Sequence, residues 1–388
     1  MKIMTILGTR PEIIRLSAII PLLDAHATHI LVHTGQNYDD RLNGLFFREL
    51  GVRDPDVYMG VRGASFGEQV GQILANAEKL FLEHRPDRVL VLGDTNSGLT
   101  AIVARRLGIP VFHMEAGNRC YDDRVPEEVN RRVIDHSSSV LLPYTNRSRE
   151  NLLREGIEGS RIFVTGNPIK QVLDRYADAI AASDVLNRLG VSDGKHILVT
   201  MHRAENVDRE DKLNDLVEAL RRLAAIHRLP VICSFHPRTR SKVEKFGVDI
   251  SGEHLRFIEP LGFFDFVRLE QTAFCVLSDS GTVQEETCIF RRPNVTIREV
   301  TERPETLDCG SNCLAGTSPE EIVEAVDFVT SRGTNWTPPA EYEASAVAET
   351  VGRIVLGYRP LDAAGIEWKT GARTSGNAHS SCHAVVRS

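Results

Sequence analysis

Short apolar runs rich in β-branched residues alternate along the chain with longer segments in which apolar residues recur every three or four positions. The runs in the first half that we predict to be strands are IMTIL, HILVH, RVLVLG, VFHME, VLLPY and RIFVTG. Helices are predicted between them, among them PEIIRLSAIIPLLDAH and FGEQVGQILANAEKLFLEH. Strands that alternate with helices pair in parallel, and a parallel sheet is covered on both faces. The pattern therefore predicts an α/β fold.

The same alternation starts again after VTGNP. The strands predicted here are HILVTMH, PVICSFHP, LRFIEP, FCVLSDSG and NVTIRE, and the helices DKLNDLVEALRRLAAIH and PEEIVEAVDFVTS lie among them. We predict two Rossmann-like domains, residues 1–168 and 169–342, that face each other across a central cleft where ligands of such folds bind. Residues 361–388 are rich in Gly, Ala, Ser and Thr and have little periodicity, so we predict a disordered tail without a catalytic role.

The composition limits which partners and sites the protein is expected to have. The 388 residues are 42% hydrophobic and 26% charged, as in ordinary globular proteins, and a net charge of −7 without a basic patch argues against nucleic acid as a partner. No apolar run is long enough for a membrane span, and the first residues turn polar too early for a signal peptide, so we expect a cytoplasmic protein. The closest cysteine pair, Cys309 and Cys313, has no second pair at metal-ligand spacing, so no metal site is predicted.

The decapeptide LSDSGTVQEE, residues 277–286, ends an apolar run and begins a predicted helix. Small residues at such a junction let backbone N–H groups approach a ligand closely, and the N-terminus of a helix favours an anion. A phosphate site is one interpretation of this segment. The other is that Asp279 or Ser280 only caps the helix.

Polar side chains also follow the other predicted strands, where the cleft is expected: Arg10, Asp94, His113, Glu115, Glu127, Glu128, His202, Arg203, Glu205, His236, Arg238 and Arg240. Each has a structural alternative. Asp94 could cap a helix that begins near Ser97, Glu127 could complement a helix dipole, and Arg203 and Glu205 could form a surface ion pair. Because so many carboxylates, arginines and histidines converge on one cleft, we favour a catalytic site.

Six motifs then give the chain a family resemblance. GTRPE, GDTNS, HMEAGNR followed by PEEVNRR, VTGNP, SDSGTVQEE and TERPE occur in this order within residues 1–357. In these motifs the chain closely resembles the non-hydrolysing UDP-N-acetylglucosamine 2-epimerases. The resemblance implies a GT-B-like pair of domains, a homodimer, and a C-terminal helix near 343–358 that crosses back onto the first domain.

The resemblance also implies roles for individual residues and a UDP-N-acetylhexosamine substrate, with no cofactor and no metal. The residues implied in catalysis are Asp94, Glu115, Glu127, His202 and Arg15. The residues implied in binding UDP are Arg10, His236, Ser280, Gly281, Thr282, Glu286 and Arg303; among them Ser280 and Gly281 would hold the phosphates and Glu286 the ribose. The implied reaction inverts C2 by elimination and re-addition of UDP through a 2-acetamidoglycal.

Three departures from the common family pattern leave the exact substrate open. Arg15 replaces the usual lysine, Thr282 replaces the second glycine of SDSGG, and the segment around Gln36 differs from one that contributes to an allosteric site in the family, so substrate activation is not carried over. Together with GNRCYDDRVPEE and LGFFDF, these departures resemble a subgroup that makes UDP-N-acetyl-L-fucosamine. The substrate is therefore either of the UDP-GlcNAc/UDP-ManNAc type or a UDP-6-deoxy-L-talosamine derivative.

Other functions remain as alternatives. A GT-B glycosyltransferase would bind the nucleotide in the same way but would need an acceptor groove and would not need GDT, HMEAG and PEE together. A hydrolysing epimerase would release free UDP. A nucleotide-sugar sensor should keep SDSG and Glu286 and lack the three carboxylates, which are all present here.

Overall fold

The computed structural model describes residues 1–35 and 40–360, in two parallel six-stranded sheets. Gln36 and the predicted tail of residues 361–388 lie outside the described residues. The strands of the first sheet are β1 (Lys2–Leu7), β2 (Thr28–His33), β3 (Val57–Tyr58), β4 (Arg88–Leu92), β5 (Val111–Met114) and β6 (Val140–Leu142). Those of the second sheet are β7 (Ile197–Thr200), β8 (Val231–Ser234), β9 (Leu255–Ile258), β10 (Cys275–Ser278), β11 (Asn294–Thr296) and β12 (Asn312–Leu314).

Helices connect these strands. They are α1 (Arg10–Leu16), α2 (Ile19–His26), α3 (Asp40–Glu49), α4 (Phe66–His84), α5 (Thr100–Arg106), α6 (Pro126–Ser137), α7 (Asn146–Arg154), α8 (Ile169–Arg175), α9 (Ala177–Ala181), α10 (Val185–Leu189), α11 (Ala204–Val207), α12 (Glu210–His227), α13 (Pro237–Phe246), α14 (Phe263–Thr272), α15 (Gly281–Phe290), α16 (Pro304–Asp308), α17 (Pro319–Ser331) and α18 (Val347–Gly357). Short 3₁₀ turns cover Asn96–Leu99, Gly159–Arg161 and Ala340–Glu343. None of the helices in the described part of the chain is both long and apolar enough to cross a membrane.

Both sheets have the same topology. The first has the strand order β3-β2-β1-β4-β5-β6 and the second β12-β11-β10-β7-β8-β9. In each, the chain begins at the centre, runs to one edge, and returns to the centre to run to the other edge. Each sheet therefore has a switch point, between β1 and β4 in the first and between β7 and β10 in the second, where ligands of open α/β sheets bind.

Strand β1 shows why these runs form buried parallel strands. Ile3 and Leu7 pack into one hydrophobic cluster, while the intervening Met4 and Ile6 pack into a second cluster on the opposite face of the sheet. Successive side chains of a strand point to opposite faces, and helices cover both faces of this sheet. The predicted α/β class with two Rossmann-like sheets is confirmed.

Two local predictions were wrong. RIFVTG does not form a strand: it makes an isolated bridge between Leu141 and Ile162, and Phe163 N and Thr165 N donate to the carbonyl oxygens of Leu141 and Pro143, before Gly166, at a φ of 84°, turns the chain away. PEIIRLSAIIPLLDAH forms two helices, since α1 ends at Leu16 and α2 begins at Ile19. Pro21 has no N–H to bond a carbonyl one turn earlier, which explains the break.

The C-terminal helix α18 packs against α2 of the first sheet. Val347, Val351 and Val355 of α18 are buried in the hydrophobic cluster that also holds residues of α1 and α2. A Cβ at Gly352 would lie 2.4 Å from Leu22 Cδ2, so the two helices approach closely there and a larger residue would have to displace the Leu22 side chain. The same cluster includes the apolar face of α8, on the far side of the predicted boundary at 168/169, and this boundary stays a prediction.

Candidate active site

A cleft of about 650 Å³ lies at the carboxyl ends of both sheets, where the two switch points face each other. Three residues that were expected at the cleft do not line it: His113 is buried against Asp135, Glu128 is buried and accepts the N–H of Cys120, and Arg240 pairs with Glu259. The twelve residues to which the resemblance gives a role all line the cleft: Arg10, Arg15, Asp94, Glu115, Glu127, His202, His236, Ser280, Gly281, Thr282, Glu286 and Arg303. They follow strands of both sheets and come from segments separated by most of the chain. The structure brings them together, and the roles implied for them stay predictions.

The N-terminus of α15 opens into this cleft. Ser280 is the N-cap residue of the helix, yet its side chain makes no capping hydrogen bond. The capping interpretation therefore does not account for the Ser280 hydroxyl. A Cβ at Gly281 would lie 3.3 Å from the guanidinium carbon of Arg303, so glycine leaves room for the arginine beside the first turn. Uncapped backbone N–H groups and a guanidinium together suit an anion.

Asp279 joins the ends of the two central strands of the second sheet. Its Oδ2 accepts hydrogen bonds from the backbone N–H groups of His202 and Arg203, both at 2.8 Å, and from Asn206 Nδ2 at 3.2 Å. The carboxyl group is fully buried. Asp279 thus fixes the turn after β7 against the turn after β10, and it does not cap α15.

Two histidines lie side by side at this switch point. The ring centroids of His202 and His236 are 5.2 Å apart. Burial, with Arg203 beside His202, lowers the pKa of His202 to about 3, and burial with His202 as neighbour lowers the pKa of His236 to about 3. His236 Nδ1 accepts the backbone N–H of Arg238 at 3.2 Å, so its proton is on Nε2. Both rings are neutral at neutral pH and present N–H donors without a charge.

Four buried charges form a closed ring between the two sheets. Arg15 and Arg303 each bond both Glu115 and Glu285, and the ring joins residues that follow β1 and β5 to residues of the second sheet. Burial opposes ionisation of Glu115, but the two arginines outweigh it and lower the pKa of Glu115 to about 2. Glu115 is therefore ionised at every pH at which the protein would work.

The backbone at Glu115 is also unusual. Its φ of 65° is in the left-handed region, which non-glycine residues rarely adopt. Among the described non-glycine residues with positive φ, Glu115 alone lines the cleft. Such a conformation costs free energy and is kept where the surroundings hold it, most often at functional sites. The ring of charges and the left-handed turn together aim this carboxylate into the cleft.

A second ionic network surrounds Asp94. Arg131 pairs with Asp94 at 2.7 Å, with Glu128 at 2.7 Å and with Glu302 at 3.0 Å. Burial raises the pKa of Asp94 despite the attraction of Arg131, and neighbouring carboxylates at Glu127 and Glu115 add to the rise. Burial thus increases the proton affinity of Asp94, whereas the two arginines decrease that of Glu115. The residue capping the turn at Asn96–Leu99 is Thr95, so Asp94 is not a helix cap.

The predicted surface pair of Arg203 and Glu205 does not form. Arg203 Nη1 lies 3.3 Å from Glu127 Oε1, across the cleft, and Glu205 pairs with Arg298 at 3.0 Å. Both residues line the cleft. Glu127, at the N-terminus of α6, is partly exposed. Arg203 and Glu205 therefore each pair with another residue at the site, and the alternative that they form a surface ion pair with each other is wrong.

Comparisons with known proteins agree with this geometry. The family model described as UDP-N-acetylglucosamine 2-epimerase matches residues 23–355. The chain is 40% identical, over 87% of its length and 95% of the relative's, to the UDP-N-acetylglucosamine 2-epimerase of Methanocaldococcus jannaschii. A crystal structure of the M. jannaschii enzyme in complex with UDP-GlcNAc and UDP superposes with a TM-score of 0.88 at 39% identity, covering 92% of this chain and 99% of that one. The UDP-2,3-diacetamido-2,3-dideoxy-D-glucuronate 2-epimerase of Pseudomonas aeruginosa is 38% identical over 84% of this chain and 91% of that relative.

The chain belongs to the UDP-N-acetylglucosamine 2-epimerase family. The predicted family, the GT-B-like α/β fold and the enzyme class of an isomerase are thereby confirmed.

This member of the family has a cleft carboxyl group that the sequence reasoning did not select. Glu12 is buried and lines the cleft. Its Oε2 accepts from Gly8 N at 3.0 Å and Thr9 Oγ1 at 2.7 Å, and its Oε1 accepts from Thr95 Oγ1 at 3.2 Å. Burial outweighs these bonds and raises the pKa of Glu12 to about 7. The signal that could have identified Glu12 is its position in the motif GTRPE, which follows β1 at the first switch point.

A second carboxyl group that was not predicted, that of Glu270, lies next to Glu286 and does not line the cleft. Glu286 lines the cleft, and burial raises its pKa to about 8. Glu270, on α14, is fully buried beside it, and burial together with Glu286 raises the pKa of Glu270 well above the ordinary value. Two adjacent buried carboxyl groups cannot both ionise cheaply, so at least one of them stays protonated. Glu270 lies within FDFVRLEQT, an amphipathic segment in which nothing distinguished Glu270 from Asp265 as a site residue.

Proposed function

We propose that the protein inverts C2 of a UDP-N-acetylhexosamine of the UDP-GlcNAc/UDP-ManNAc type. The observation that carries the proposal is the arrangement of the cleft: an anion site at the second switch point faces carboxyl groups at the first. A nucleotide diphosphate bound at α15 would place its sugar against Asp94, Glu115 and Glu127.

The proposed nucleotide site uses groups of the second sheet and one arginine from the first. Ser280, Gly281 and Thr282, at the start of α15, would hold the diphosphate with the N-terminus of the helix. His236 and Arg10 line the cleft at the same end and would add N–H donors. Each of these donors is compatible with a departing diphosphate, whose negative charge grows as the bond to C1 breaks.

The hydroxyl groups of the ribose would be bound by Glu286. A carboxylate accepts two such hydrogen bonds, which is why the ionised form of Glu286 suits this role. Glu286 would therefore have to lose its proton when UDP binds, while Glu270 beside it stays protonated.

The proposed chemistry follows from the difficulty of removing the C2 proton. This carbon is not adjacent to a carbonyl carbon, so direct deprotonation is too hard. Loss of UDP from C1 leaves positive charge at C1, acidifies C2–H and gives a 2-acetamidoglycal with free UDP. Protonation of C2 on the other face and return of UDP to C1 complete the inversion. The scheme needs a base, an acid on the opposite face, and stabilisation of both developing charges.

The electrostatics of the cleft divide these tasks among the three carboxyl groups. Glu115, held ionised by Arg15 and Arg303, is a poor proton acceptor and is suited to stabilise the positive charge at C1. Asp94, with its raised pKa, is suited to proton transfer, because a catalytic acid or base works best when its pKa approaches the working pH. Glu127 is the partly exposed carboxyl group and is assigned the second proton transfer.

Deuterium incorporation tests this proposal. Turnover of UDP-GlcNAc in D₂O is expected to give a product with deuterium at C2 and none at C3 or C4, as followed by NMR. Protium retained at C2 in the epimerised product contradicts the elimination scheme unless a shielded group returns the same proton, and trapping of the glycal by the Asp94→Asn variant distinguishes that case. An enzyme that releases free sugar in proportion to UDP would instead be hydrolytic.

The UDP-6-deoxy-L-talosamine derivative is the second substrate that we propose to test. The segment GNRCYDDRVPEE, which carries this alternative, leads from Glu115 to Glu127 and so borders the site. The P. aeruginosa relative is named for a substrate with different substituents at C3 and C6, so the family covers more than one sugar. Parallel assays of both sugars decide between them by their kcat/KM ratio. A glycosyltransferase would leave either sugar unchanged in the absence of an acceptor.

We also propose a homodimer in the cytoplasm. The family resemblance supports the dimer, and the six described cysteines, which are all free thiols, are compatible with a reducing compartment. Sedimentation equilibrium of the purified chain tests the dimer by its mass, and a concentration-independent monomer would contradict it.

A further inference from the structure

Cys288 and Cys309 lie side by side although 21 positions separate them in the chain. Their Sγ atoms are 3.7 Å apart. Cys288 is buried in α15, two positions after Glu286, whereas Cys309 is the C-cap residue of α16 and is partly exposed. The tertiary partner of Cys309 is therefore Cys288, and not Cys313, its neighbour in the CGSNC motif.

The two thiols are chemically unequal. The hydrogen bond from the Cys288 thiol lowers the pKa of Cys309, and the Ser311 hydroxyl lies 3.4 Å from the Cys309 sulfur. The same contact and burial raise the pKa of Cys288. A thiolate is the reactive form of cysteine, and the one with access to solvent meets oxidants first. Cys309 is thus the attacking sulfur and Cys288 the resolving one.

We propose that Cys288 and Cys309 form a redox modification site, at which hydrogen peroxide converts the thiol pair to a reversible disulfide. The Cys309 thiolate attacks one oxygen of the peroxide, the O–O bond breaks, and after uptake of a proton one water leaves and a sulfenic acid remains. The Cys288 thiol then attacks the sulfenic sulfur. The S–S bond forms, the S–O bond breaks, and the second water carries away the thiol proton. The two sulfurs lose two electrons to the peroxide.

The disulfide would act on the nucleotide side of the cleft. Arg303, the N-cap residue of α16, bonds Glu285 in the middle of α15 and lies beside Gly281 in the first turn of that helix, so the two helices are already held together there. Cys288 lies about one turn beyond Glu285, and Cys309 lies at the other end of α16. An S–S bond is about 2.05 Å long, so the sulfurs must approach from their present contact, and we expect this approach to move α16 against α15. Oxidation therefore displaces Arg303 from Glu285 and from the first turn of α15, and lowers epimerase turnover; this consequence, unlike the disulfide, rests on the proposed function.

Two cysteine variants and one matched control test the site. The full-length protein, Cys288→Ala, Cys309→Ala and Cys313→Ala are treated with hydrogen peroxide, quenched, alkylated and digested with trypsin. Arg291 and Arg298 lie between the two cysteines, so cleavage places them in separate peptides. We expect a disulfide-linked pair of peptides, lighter by two hydrogen atoms than the free pair, in the unchanged protein and in Cys313→Ala, and none in the other two variants.

Two further readouts connect the disulfide to the site. Trp336 Nε1 donates to the Cys288 carbonyl oxygen at 3.0 Å, so its fluorescence should change on oxidation and recover with dithiothreitol. Turnover of UDP-GlcNAc should fall several-fold in step with the linked peptide, recover with dithiothreitol, and stay constant in Cys288→Ala and Cys309→Ala under the same peroxide.

The outcomes separate the proposals. Cys309 and Cys313 fall in one tryptic peptide, residues 299–332, so a disulfide of the CGSNC pair would appear as that single peptide lighter by two hydrogen atoms. Such a peptide in the unchanged protein and in Cys288→Ala, with no linked pair of peptides, would assign the disulfide to CGSNC and overturn the site. Intact thiols after peroxide, with the other proteins of the assay oxidised, overturn it as well. Unchanged turnover in a fully linked protein overturns the effect on the cleft. Lack of epimerisation before any peroxide is added contradicts the proposed function alone, because the peptide map still decides the disulfide.

Discussion

The two switch points of this protein share one strand topology and differ in the charge that they present to the cleft. At the first, between β1 and β4, Glu12 and Asp94 are carboxyl groups whose pKa is raised by burial. At the second, between β7 and β10, neutral His202 lies beside the uncapped N-terminus of α15 at Ser280. The shared topology decides where side chains converge, while the residues after each strand decide whether that place handles protons or binds an anion.

The largest effect is expected from the proton-transfer side. Asp94→Asn should keep the fold and the UDP affinity and lower turnover about 10²–10⁴-fold, as for a lost general acid or base. Asp123→Asn is the matched control, because this exposed aspartate pairs with Arg132 and does not line the cleft. Steady-state kinetics and UDP calorimetry measure both. A turnover within twofold of the unchanged enzyme would remove Asp94 from the mechanism.

The next effect concerns stability on the same side. The pKa of Glu12 rises from 4.5 to about 7 on folding, so the folded state binds the proton more tightly and loses stability as pH rises through this interval. Over the full interval the loss is about 3 kcal/mol for a single group. Denaturant unfolding measures this loss: between pH 5 and pH 8 the free energy of unfolding should decline less in Glu12→Gln than in the unchanged protein.

Glu128→Gln provides the contrast for that measurement. Burial would raise the pKa of Glu128, but backbone hydrogen bonds and Arg131 outweigh it and lower this pKa. Glu128 therefore stabilises the folded state at both pH 5 and pH 8, and this stabilisation is lost only when the pH falls below the ordinary pKa of a glutamate. Glu128→Gln should be less stable than the unchanged protein at both pH values, and its free energy of unfolding should decline between pH 5 and pH 8 by the same amount as that of the unchanged protein. An equal decline in Glu12→Gln and the unchanged protein would show that Glu12 is ionised when buried.

On the nucleotide side, Glu286→Ala should weaken UDP binding by about 1–3 kcal/mol, the range for a buried group left without its hydrogen bonds. Thr287→Val is the control in the same helix, because the Thr287 hydroxyl bonds only carbonyl groups of α15. UDP affinity of the unchanged protein should also rise by a few-fold between pH 7 and pH 9, as Glu286, with a pKa of about 8, becomes a carboxylate. Titration calorimetry checks both, and equal affinities of Glu286→Ala and the unchanged protein would refute the ribose assignment.

The smallest effect is expected where the two sides meet. Arg15 bonds Glu115 through one nitrogen and Glu285 through another, and a lysine has a single nitrogen for both. Arg15→Lys should therefore lower kcat about tenfold, the equivalent of one charge-assisted hydrogen bond. Arg53→Lys, in a surface ion pair with Asp24, should leave kcat unchanged. A fully active Arg15→Lys variant would show that the usual lysine of the family serves equally in this ring.

Elements with strong local signals were predicted with their bounds. Helix α4 begins at Phe66 after Ser65, whose side chain accepts the N–H of Glu68, and α17 begins at Pro319, a favoured first residue. The run RIFVTG had a similar apolar pattern but makes only an isolated bridge with β6, because Gly166, at a φ of 84°, turns the chain away from the sheet. Local signals fix helix ends; pairing partners of strands come from distant segments.

The sequence by itself determined the parallel α/β class, the family, and most of the residues that follow the strands into the cleft, because these depend on periodicity and on short motifs. The tertiary structure decided which charges pair and which carboxyl groups hold protons. Arg15 meets Glu115 across 100 positions and Glu285 across 270, and Cys309 meets Cys288 instead of Cys313. Pairing and pKa depend on distance and burial in three dimensions, and neither quantity is encoded by any local segment of the chain.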